Sequence, residues 1–457
     1  MFVGRKEEME ELERVYRSTG YDLMVVYGRR RVGKTELLER FSEGKRCVFF
    51  TGRNDTPGNN ISAFLEEIPT KYIAGRETIG QVLESVALMA EDGTDGRLLL
   101  IIDEFPYLVN SIPGTVSNLQ IAIKKRFEKL NIMIVLCGSS VGAMIDGVLS
   151  KKSALYGRRS GEIPLEPLDY LDAREMLVGF TRDEALAIYG MVGGVPAYLQ
   201  KFNASKGLDT NIADLFLRRS GPFQDEVDFL MREEMRSPEA YIAVINAIAR
   251  GKTRISDISD ATKESTALTS KRIADLVKLG FVRRNTPYRG DSTKRTGYVL
   301  NDNYLRFHYA ILAGHTVRNT DESRAAAVRR IRGELDSYLG RIFEDVCRTY
   351  CLKNLGCTEA GNWWGPDPVR RETAEIDIVG ADTEAEDDIL LFAECKYTNS
   401  DVGLSELNTL KERSMLVECE GRRYALFSAA GFDEKLVRVA EMEGVTLVSM
   451  DDLYPDG

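Results

Sequence analysis

The sequence predicts an α/β protein whose first domain is a doubly wound parallel sheet. Apolar runs such as residues 98–102 and 132–138 are typical of strands covered on both faces. Segments with helical spacing alternate with these runs, as in a sheet that carries helices on both sides. A glycine-rich turn follows the apolar run at residues 21–27. Ligands of such sheets bind at the carboxyl ends of the strands, where this turn is expected to lie.

The turn carries the motif GRRRVGKT, which fits G-x-x-x-x-G-K-[ST] and lies between a strand and a helix that includes residues 36–41. Successive backbone N–H groups of such a turn face one anion at the positive end of the helix. The motif predicts an ATP site in which Lys34 contacts the β- and γ-phosphates and the Thr35 hydroxyl binds Mg²⁺. The predicted nucleotide-binding residues of the loop are Gly28, Arg29, Arg30, Arg31, Val32, Gly33, Lys34, Thr35 and Glu36.

Polar residues follow the next two apolar runs. We expect Asp103, on a strand neighbouring the loop strand, to hold Mg²⁺ and Glu104 to orient the attacking water. The alternative is a capped strand end with two solvated carboxylates. Ser139 ends the strand at 132–138 and is a candidate γ-phosphate sensor, with ordinary turn chemistry as the alternative. Arg158 and Arg159 are candidate cations for the γ-phosphate, in cis or from a neighbouring subunit, with a surface ion pair as the alternative.

Composition limits the remaining classes of function. A chain of 457 residues should hold roughly three domains, and a net charge of −10 provides no global attraction to nucleic acid. Seven scattered cysteines favour reduced thiols and a cytoplasmic setting, and the cluster at 347–357 favours helix core over a metal site. No apolar run approaches the roughly 20 residues of a membrane span. With only two histidines, carboxylates or metals are expected to do the chemistry.

The middle of the chain predicts a winged helix at residues 236–305. Helical spacing at 240–249 and 268–279, the second closed by Gly280, precedes two strands at 281–284 and 297–300. A basic face is expected on the second helix and the ribbon, which predicts binding of double-stranded DNA through its phosphates. The alternative is a spacer or protein contact with solvated cations. The cations of this face are Lys271, Arg272, Lys278, Arg283, Arg284, Arg289, Lys294 and Arg295.

A second chemical constellation lies in residues 306–457. Alternation at 375–379 places Glu375 and Asp377 on one face of a strand, and the apolar run at 389–393 leads into Glu394 and Lys396. Antiparallel pairing of these strands would place Asp377 beside Glu394 and Lys396. Paired carboxylates hold a divalent metal, and an ammonium group positions or deprotonates a water. Glu344, on the preceding helix, is a candidate further metal ligand. The pattern predicts metal-assisted phosphodiester hydrolysis.

Three motifs carry a family resemblance. FVGR at residues 2–5 resembles the N-terminal box of archaeal-type P-loop ATPases, a branch close to the STAND and AAA+ groups. DEFPY at 103–107 resembles their Walker B segment, and GGVPAYL at 193–199 resembles their G-x-P motif. The resemblance extends to nearly the whole chain. It implies a P-loop NTPase domain at 1–235 with a helical lid at 165–235, and it implies that Gly194 and Pro196 approach the adenine.

The strands of the last domain resemble the PD-(D/E)xK nuclease fold, which that family often carries at its C-terminus. The proline of the name is absent, because Ile376 precedes Asp377. The resemblance implies a restriction-endonuclease-like α/β domain, with Asp377, Glu394 and Lys396 as the catalytic residues; retention of cleavage stays open. Trp363 and Trp364 are interpreted as packing residues or, alternatively, as a wedge that stacks on DNA.

Three hypotheses of function follow. The first is a Mg²⁺-dependent ATPase that acts on DNA, in which ATP hydrolysis gates the C-terminal metal nuclease. The second is a regulatory or signalling STAND-like ATPase whose winged helix and C-terminal domain are binding modules. The third is a DNA-binding regulator with a vestigial ATP site. An arginine that acts in trans would require a homo-oligomer.

Overall fold

The computed structural model describes residues 2–75, 77–93, 96–235, 237–289, 296–314 and 320–455. These residues divide into two compact units. The first unit contains residues 2–168, Val195–Ala197 and 233–235, and the second contains Asp169–Gly194, Tyr198–Arg232 and 237–455. The helices predicted as a lid thus fall largely within the second unit. The division into domains at 1–235, 236–305 and 306–457 stays a prediction.

Strands and helices alternate up to residue 168. The elements are α1 Lys6–Tyr16, β1 Tyr21–Tyr27, α2 Lys34–Ser42, β2 Cys47–Thr51, α3 Pro57–Glu66, α4 Ile79–Asp92, β3 Leu98–Asp103, α5 Phe105–Ser111, α6 Thr115–Lys125, β4 Ile132–Gly138, α7 Val141–Met144 and β5 Gly161–Pro164. The strand order is β2-β3-β4-β1-β5, and all neighbours are parallel. The predicted parallel α/β sheet is confirmed. The aspartate strand does not neighbour the loop strand as predicted, because β4 lies between β1 and β3.

Alternate residues of the strands enter two separate cores. In β1, Leu23 and Val25 belong to a core that includes residues of α3, α4 and α6. Met24 and Val26 belong to a second core that includes residues of α1 and α2. The sheet is therefore covered on both faces, which explains why its central strands are continuous apolar runs.

After residue 168 the chain is first helical and then mixed. The helices are α8 Tyr170–Met176, α9 Arg182–Val192, α10 Pro196–Leu199, α11 Gly207–Ile212, α12 Glu226–Glu234, α13 Pro238–Ala249, α14 Ile255–Thr262, α15 Thr266–Lys278, α16 Asn303–Ala310, α17 Asp321–Asn354, α18 Leu404–Ser414, α19 Glu434–Glu443 and α20 Met450–Leu453. The strands are β6 Val282–Asn285, β7 Gly297–Leu300, β8 Glu359–Asp367, β9 Glu372–Ala381, β10 Ile389–Lys396, β11 Gly421–Ser428 and β12 Thr446–Ser449.

Three helices and an antiparallel ribbon occupy residues 238–300. Helices α13 and α15 and strands β6 and β7 lie within two residues of their predicted bounds. Gly280 has a φ of 77°, as expected for the residue that closes α15. The Tyr298 N–H donates to the Thr253 carbonyl over 2.8 Å, which joins the segment before α14 to the ribbon. Helix α14 was not predicted, because Ile255 and Ile258 are its only large apolar residues.

A five-stranded mixed sheet follows the long helix α17. Its order is β12-β11-β10-β9-β8, with antiparallel pairing across β8, β9 and β10 and parallel pairing across β10, β11 and β12. The strands predicted at 375–379 and 389–393 are confirmed. Strand β8 was not predicted, because glycines and a proline flank its tryptophans. Trp363 is 8% exposed and belongs to the core of this sheet, so it packs rather than stacks on a ligand.

The cysteines agree with the expectation of reduced thiols. All seven are free, and Cys347 and Cys351 are buried on α17, as predicted for helix-core residues. Cys357 is also buried but lies between α17 and β8, so its assignment to a helix was wrong. Within the described ranges, the structure contains no helix with the length and apolar character needed to cross a bilayer.

Candidate functional site

The phosphate loop connects β1 to α2 in the first unit. Gly33 has a φ of 97° and directly precedes α2, so that the helix begins at Lys34. The Lys34 side chain is 5% exposed, and its Nζ donates to the Gly28 and Arg29 carbonyls over 2.9 Å each. Burial lowers the pKa of Lys34. The loop thus curls around a desolvated ammonium group at the N-terminus of a helix, which is an arrangement suited to an anion.

A hydrogen-bonded chain joins this loop to the ends of β3 and β4. Thr35 Oγ1 donates to Asp103 Oδ2 over 2.8 Å, and the Glu104 N–H donates to Asp103 Oδ1 over 2.9 Å. Ser139 Oγ donates to Glu104 Oε2 over 2.8 Å, with the Ser139 N–H 3.3 Å from the same oxygen. Although β3 does not neighbour β1, four of the predicted residues are therefore linked. The Thr35 and Asp103 oxygens are of the type that Mg²⁺ takes as ligands, so the donor set fits that ion.

Close packing leaves no room for a side chain at the start of the loop. A Cβ on Gly28 would lie 2.2 Å from the Leu165 carbonyl oxygen, which is a backbone atom that cannot swing away. Arg5 supports the loop from another side, because its Nη2 donates to the Val32 carbonyl over 2.9 Å and to the Glu166 carbonyl over 2.7 Å. Sequence reasoning noticed the FVGR box but missed this role of its arginine, since the contact partners are distant in the chain.

An acidic segment that the sequence did not indicate also meets the loop. Arg30 forms an ion pair with Glu233, and Ser140 Oγ lies 3.4 Å from Glu234 Oε2. Burial raises the pKa of Glu234, although backbone N–H groups of Val141 and Gly142 oppose this. Burial also raises the pKa of Glu233, against the effect of Arg30. No local pattern could have revealed these contacts, because 203 residues separate Arg30 from Glu233 and 94 separate Ser140 from Glu234.

Of the other predicted nucleotide-binding residues, Pro196 lies beside the loop, whereas Glu36 is exposed and Arg159 is paired with a carboxylate. Pro196 lies beside the loop, with its Cγ 4.0 Å from a Cβ built on Gly33. Glu36 is exposed in the first turn of α2. Arg159 forms an ion pair with Glu162, which is the surface pair considered as its alternative. Arg158 similarly pairs with Glu128 over 2.8 Å.

The C-terminal constellation is assembled by β9 and β10 in the second unit. Ala393 pairs with Ile378 across these antiparallel strands, so Glu394 and Asp377 follow at the same level. The Cys395 N–H donates to Asp377 Oδ2 over 2.8 Å, and Lys396 Nζ donates to Glu394 Oε1 over 2.7 Å. The predicted juxtaposition of these side chains is therefore present.

The carboxylates of this group lie near one another, and the pKa values of two of them are raised. Burial, followed by the Glu394 charge, raises the pKa of Asp377 to about 6. Burial, followed by the Asp377 charge, raises the pKa of Glu344 to about 7, which brings this α17 side chain into the same field. Glu394 Oε2 is buried and has no hydrogen-bond partner among the described residues. A cation would satisfy that oxygen and relieve the repulsion, so the donors fit a divalent metal.

Two observations limit the metal and base assignments. Among the described residues there is no group of three or more Asp, Glu, His or Cys side chains at metal-ligand spacing, so a three-carboxylate site of Glu344, Asp377 and Glu394 stays a prediction. Burial alone would lower the pKa of Lys396, but the hydrogen bond to Glu394 and the negative charges of Glu394, Asp377 and Glu406 together raise this pKa. A charged Lys396 is suited to positioning a water rather than to deprotonating it.

The predicted basic face carries less open charge than its sequence indicates. Arg272 pairs with Glu264 and lies over the Tyr241 ring. The ribbon arginines also have acidic partners: Arg283 with Asp345 at 3.0 Å, and Arg289 with Asp388 at 2.6 Å. Lys271 and Arg284 are exposed. Lys294 and Arg295 lie outside the described residues.

Known proteins support the class indicated by the first unit. Residues 2–202 match the model of an ATPase domain predominantly from Archaea. Residues 309–413 match a family described as archaeal and bacterial proteins of unknown function. The Walker-type ATPase of Pyrococcus abyssi shares the fold with a TM-score of 0.52 at 21% identity, over 68% of this chain and 96% of that one.

Two relatives from Methanocaldococcus jannaschii extend the match. An uncharacterized protein is 27% identical over 409 residues, which are 87% of this chain and 88% of the relative. An uncharacterized ATP-binding protein is 54% identical over 46 residues, which are 10% of this chain and 78% of the relative. The chain belongs to the archaeal P-loop ATPase family. It is an ATP-binding ATPase with a separate C-terminal domain built on a mixed sheet.

Proposed function

We propose that this ATPase uses Mg²⁺, acts on DNA and gates a metal-dependent phosphodiesterase in residues 306–457 through ATP hydrolysis. The observation that carries the proposal is the pair Asp377 and Glu394 with Lys396 on adjacent antiparallel strands. A buried carboxylate pair beside an ammonium group is the donor set of metal-assisted hydrolysis.

The first step, hydrolysis of ATP, would take place at the phosphate loop. Lys34 would contact the β- and γ-phosphates, and Glu104 would orient the attacking water. Ser139 fixes the Glu104 carboxylate through the 2.8 Å hydrogen bond. When bound by Thr35 and Asp103, Mg²⁺ would supply charge neutralisation on the phosphate oxygens. Pro196 borders the loop on the side where the family resemblance expects the adenine.

The second step, hydrolysis of the phosphodiester, would take place at the carboxylate pair Asp377 and Glu394. Asp377 and Glu394 would hold the metal, with Glu344 as a further ligand from α17. The metal would supply Lewis-acid activation of the phosphodiester. Lys396, kept charged by Glu394, would position the attacking water or stabilise the developing negative charge.

Contact with double-stranded DNA is proposed for the three helices and ribbon of residues 238–300. The order of elements and the Thr253–Tyr298 hydrogen bond support a winged helix. Lys271 on α15 and Arg284 on β6 are exposed cations in this region. The ion pairs of Arg272, Arg283 and Arg289 reduce the open charge, so we expect the duplex to be held weakly and with strong salt dependence.

The substitution Asp377→Asn tests the phosphodiesterase. It keeps the shape of the side chain and removes one carboxylate of the pair, so we expect nicking of supercoiled plasmid to fall by about 100-fold or more. The assay uses the full chain with Mg²⁺ or Mn²⁺, with ATP, with ADP and without nucleotide. The control is Glu372→Gln, which neutralises an exposed carboxylate on the same strand and should leave nicking unchanged. Equal nicking by wild type and Asp377→Asn would refute the assignment.

A regulatory ATPase without cleavage is the second candidate. It is favoured by the lack of a three-ligand metal cluster in the described part of the chain. In that case the wild-type protein would hydrolyse ATP and would not nick DNA under any of the metal and nucleotide conditions above. The mixed-sheet domain would then act as a binding module.

A further inference from the structure

A cavity of about 400 Å³ in the second unit lies beside the base of the ribbon. Four arginines line it: Arg283, Arg306, Arg341 and Arg348. Three carboxylates line it: Glu344, Asp345 and Glu375. The four arginines and three carboxylates leave the cavity wall with one excess positive charge. The chain as a whole has a net charge of −10.

Three of these arginines converge on one carboxylate. Asp345 accepts from Arg283 Nη2 over 3.0 Å, from Arg306 Nη1 over 3.1 Å and from Arg348 Nη1 over 2.7 Å. Each guanidinium carries five N–H donors, so Asp345 satisfies only a minority of them. Arg348 Nε is buried and has no hydrogen-bond partner among the described residues. Burial lowers the pKa of Arg283 against the opposing charge of Asp345, and the charges of Arg348 and Arg306 add to the lowering. The cluster has more donors and positive charge than its own acceptors balance.

The cavity adjoins the carboxylate strands. Arg348 Nη2 donates to Asn362 Oδ1 over 3.0 Å, and Asn362 Nδ2 donates to the Asp377 carbonyl over 2.9 Å. Asn362 and Glu344 both line the cavity. A group bound among the arginines would therefore lie next to the strand that carries Asp377.

We propose that this arginine-lined cavity binds the phosphodiester backbone of a single nucleic-acid strand and leads it to Asp377 and Glu394. The inference rests on the phosphodiesterase proposed above. Guanidinium groups match phosphate oxygens in charge and in hydrogen-bond geometry. The surplus donors of the cluster are the observation that identifies the ligand as an anion.

Volume indicates a single strand rather than a duplex. A cavity of about 400 Å³ accommodates a ligand of nucleotide size, and a base-paired duplex is too wide to enter it. A second cavity of about 760 Å³ shares Arg283, Arg348 and Asn362 with the first and adds Arg284 and Arg289. The two adjoining cavities would thus bind consecutive nucleotides of one strand.

The test is binding of a fluorescein-labelled single-stranded oligodeoxynucleotide of about 12 residues, a length within single-strand site sizes. Fluorescence anisotropy is measured on the full chain in EDTA, so that cleavage does not contribute. We expect the double variant Arg284→Gln and Arg341→Gln to raise Kd by about tenfold. The slope of log K against log salt should decrease by roughly 0.7 for each lost phosphate contact. Both arginines are exposed, and the thermal midpoint is compared with that of wild type to verify folding.

The matched control is Arg438→Gln, which removes an exposed arginine of α19 outside both cavities and should leave Kd unchanged. An unchanged Kd in the double variant would overturn the inference, even if nicking depends on Asp377. Arginine-dependent binding by a protein that never nicks DNA would support the cavity and overturn the proposed phosphodiesterase. Displacement of the labelled oligonucleotide by an equal concentration of inorganic phosphate would also overturn the single-strand inference.

Discussion

Glu104 shows backbone strain at a single residue that is proposed to serve the ATP site. Its φ of 48° lies in the left-handed region, where a residue other than glycine costs about 1–3 kcal/mol. In that conformation its N–H reaches Asp103 and its carboxylate reaches Ser139. The local strain thus turns the carboxylate from the end of β3 toward the end of β4. Such strain is typical of residues whose side chains must meet a substrate.

Lys34→Ala tests the loop at the residue scale. The substitution removes the ammonium group proposed to contact the phosphates, so we expect kcat for ATP to fall by about 10²–10³-fold. Steady-state phosphate release measures the change. Lys124→Ala, at an exposed position of α6 in the same unit, is the charge-matched control and should retain wild-type turnover. Wild-type turnover in Lys34→Ala would show that the loop is not the ATP site.

At the scale of elements, the C-terminal residues of α12 contact the phosphate loop. Glu233 pairs with Arg30, and Glu234 faces the segment that begins α7. A bound triphosphate would bring several negative charges next to these carboxylates and would compete with Glu233 for Arg30. We therefore expect bound nucleotide to weaken the ion pair between Arg30 and Glu233.

Glu233→Gln is expected to strengthen ATP binding, because it removes a like charge and weakens the competing ion pair. A decrease in Kd of roughly three- to tenfold corresponds to about 1 kcal/mol of partly screened electrostatics. Isothermal titration calorimetry measures the affinity, and Glu66→Gln on α3 is an exposed control in the same unit. Weaker or unchanged binding in Glu233→Gln would show that Glu233 does not compete with the nucleotide.

At the scale of the whole molecule, stability is expected to depend on the pH through His308. Burial lowers the pKa of this histidine, against the weaker effect of Asp228, and its Nδ1 has no hydrogen-bond partner among the described residues. A depressed folded-state pKa means that the unfolded chain binds the proton more readily. The contribution of neutral His308 is therefore present above the unfolded pKa of about 6.5 and is lost as the pH falls below it.

His308→Gln should flatten this dependence. We expect wild type to lose free energy of unfolding, relative to the variant, as the pH falls from about 7 to about 5. One histidine contributes at most about 1.4 kcal/mol per pH unit. Urea unfolding at several pH values gives the free energy of unfolding of each protein. The contribution of the carboxylates is the same in both proteins, so it cancels in the difference between them. Parallel curves for the two proteins would show that His308 does not titrate differently on folding.

The sequence by itself determined most of the strands, the phosphate loop and most chemical side chains. Apolar runs and the G-x-x-x-x-G-K-[ST] spacing are local signals, because they reflect burial of a strand and the geometry of one turn. The same applies to Glu394 and Lys396, whose spacing follows from the alternation of one strand. Elements without such a signal, namely β2, β5, α14, β8 and β12, were not predicted.

Only the tertiary structure decided which strand lies between β1 and β3, and which charges meet. The contact of Arg30 with Glu233 and the convergence of Arg283 and Arg306 on Asp345 join residues on separate loops, helices and strands. Charge pairing depends on distance in space and not on spacing in the chain. The physical reason is that a periodic pattern fixes the face on which a side chain lies, while packing of the elements fixes its partner.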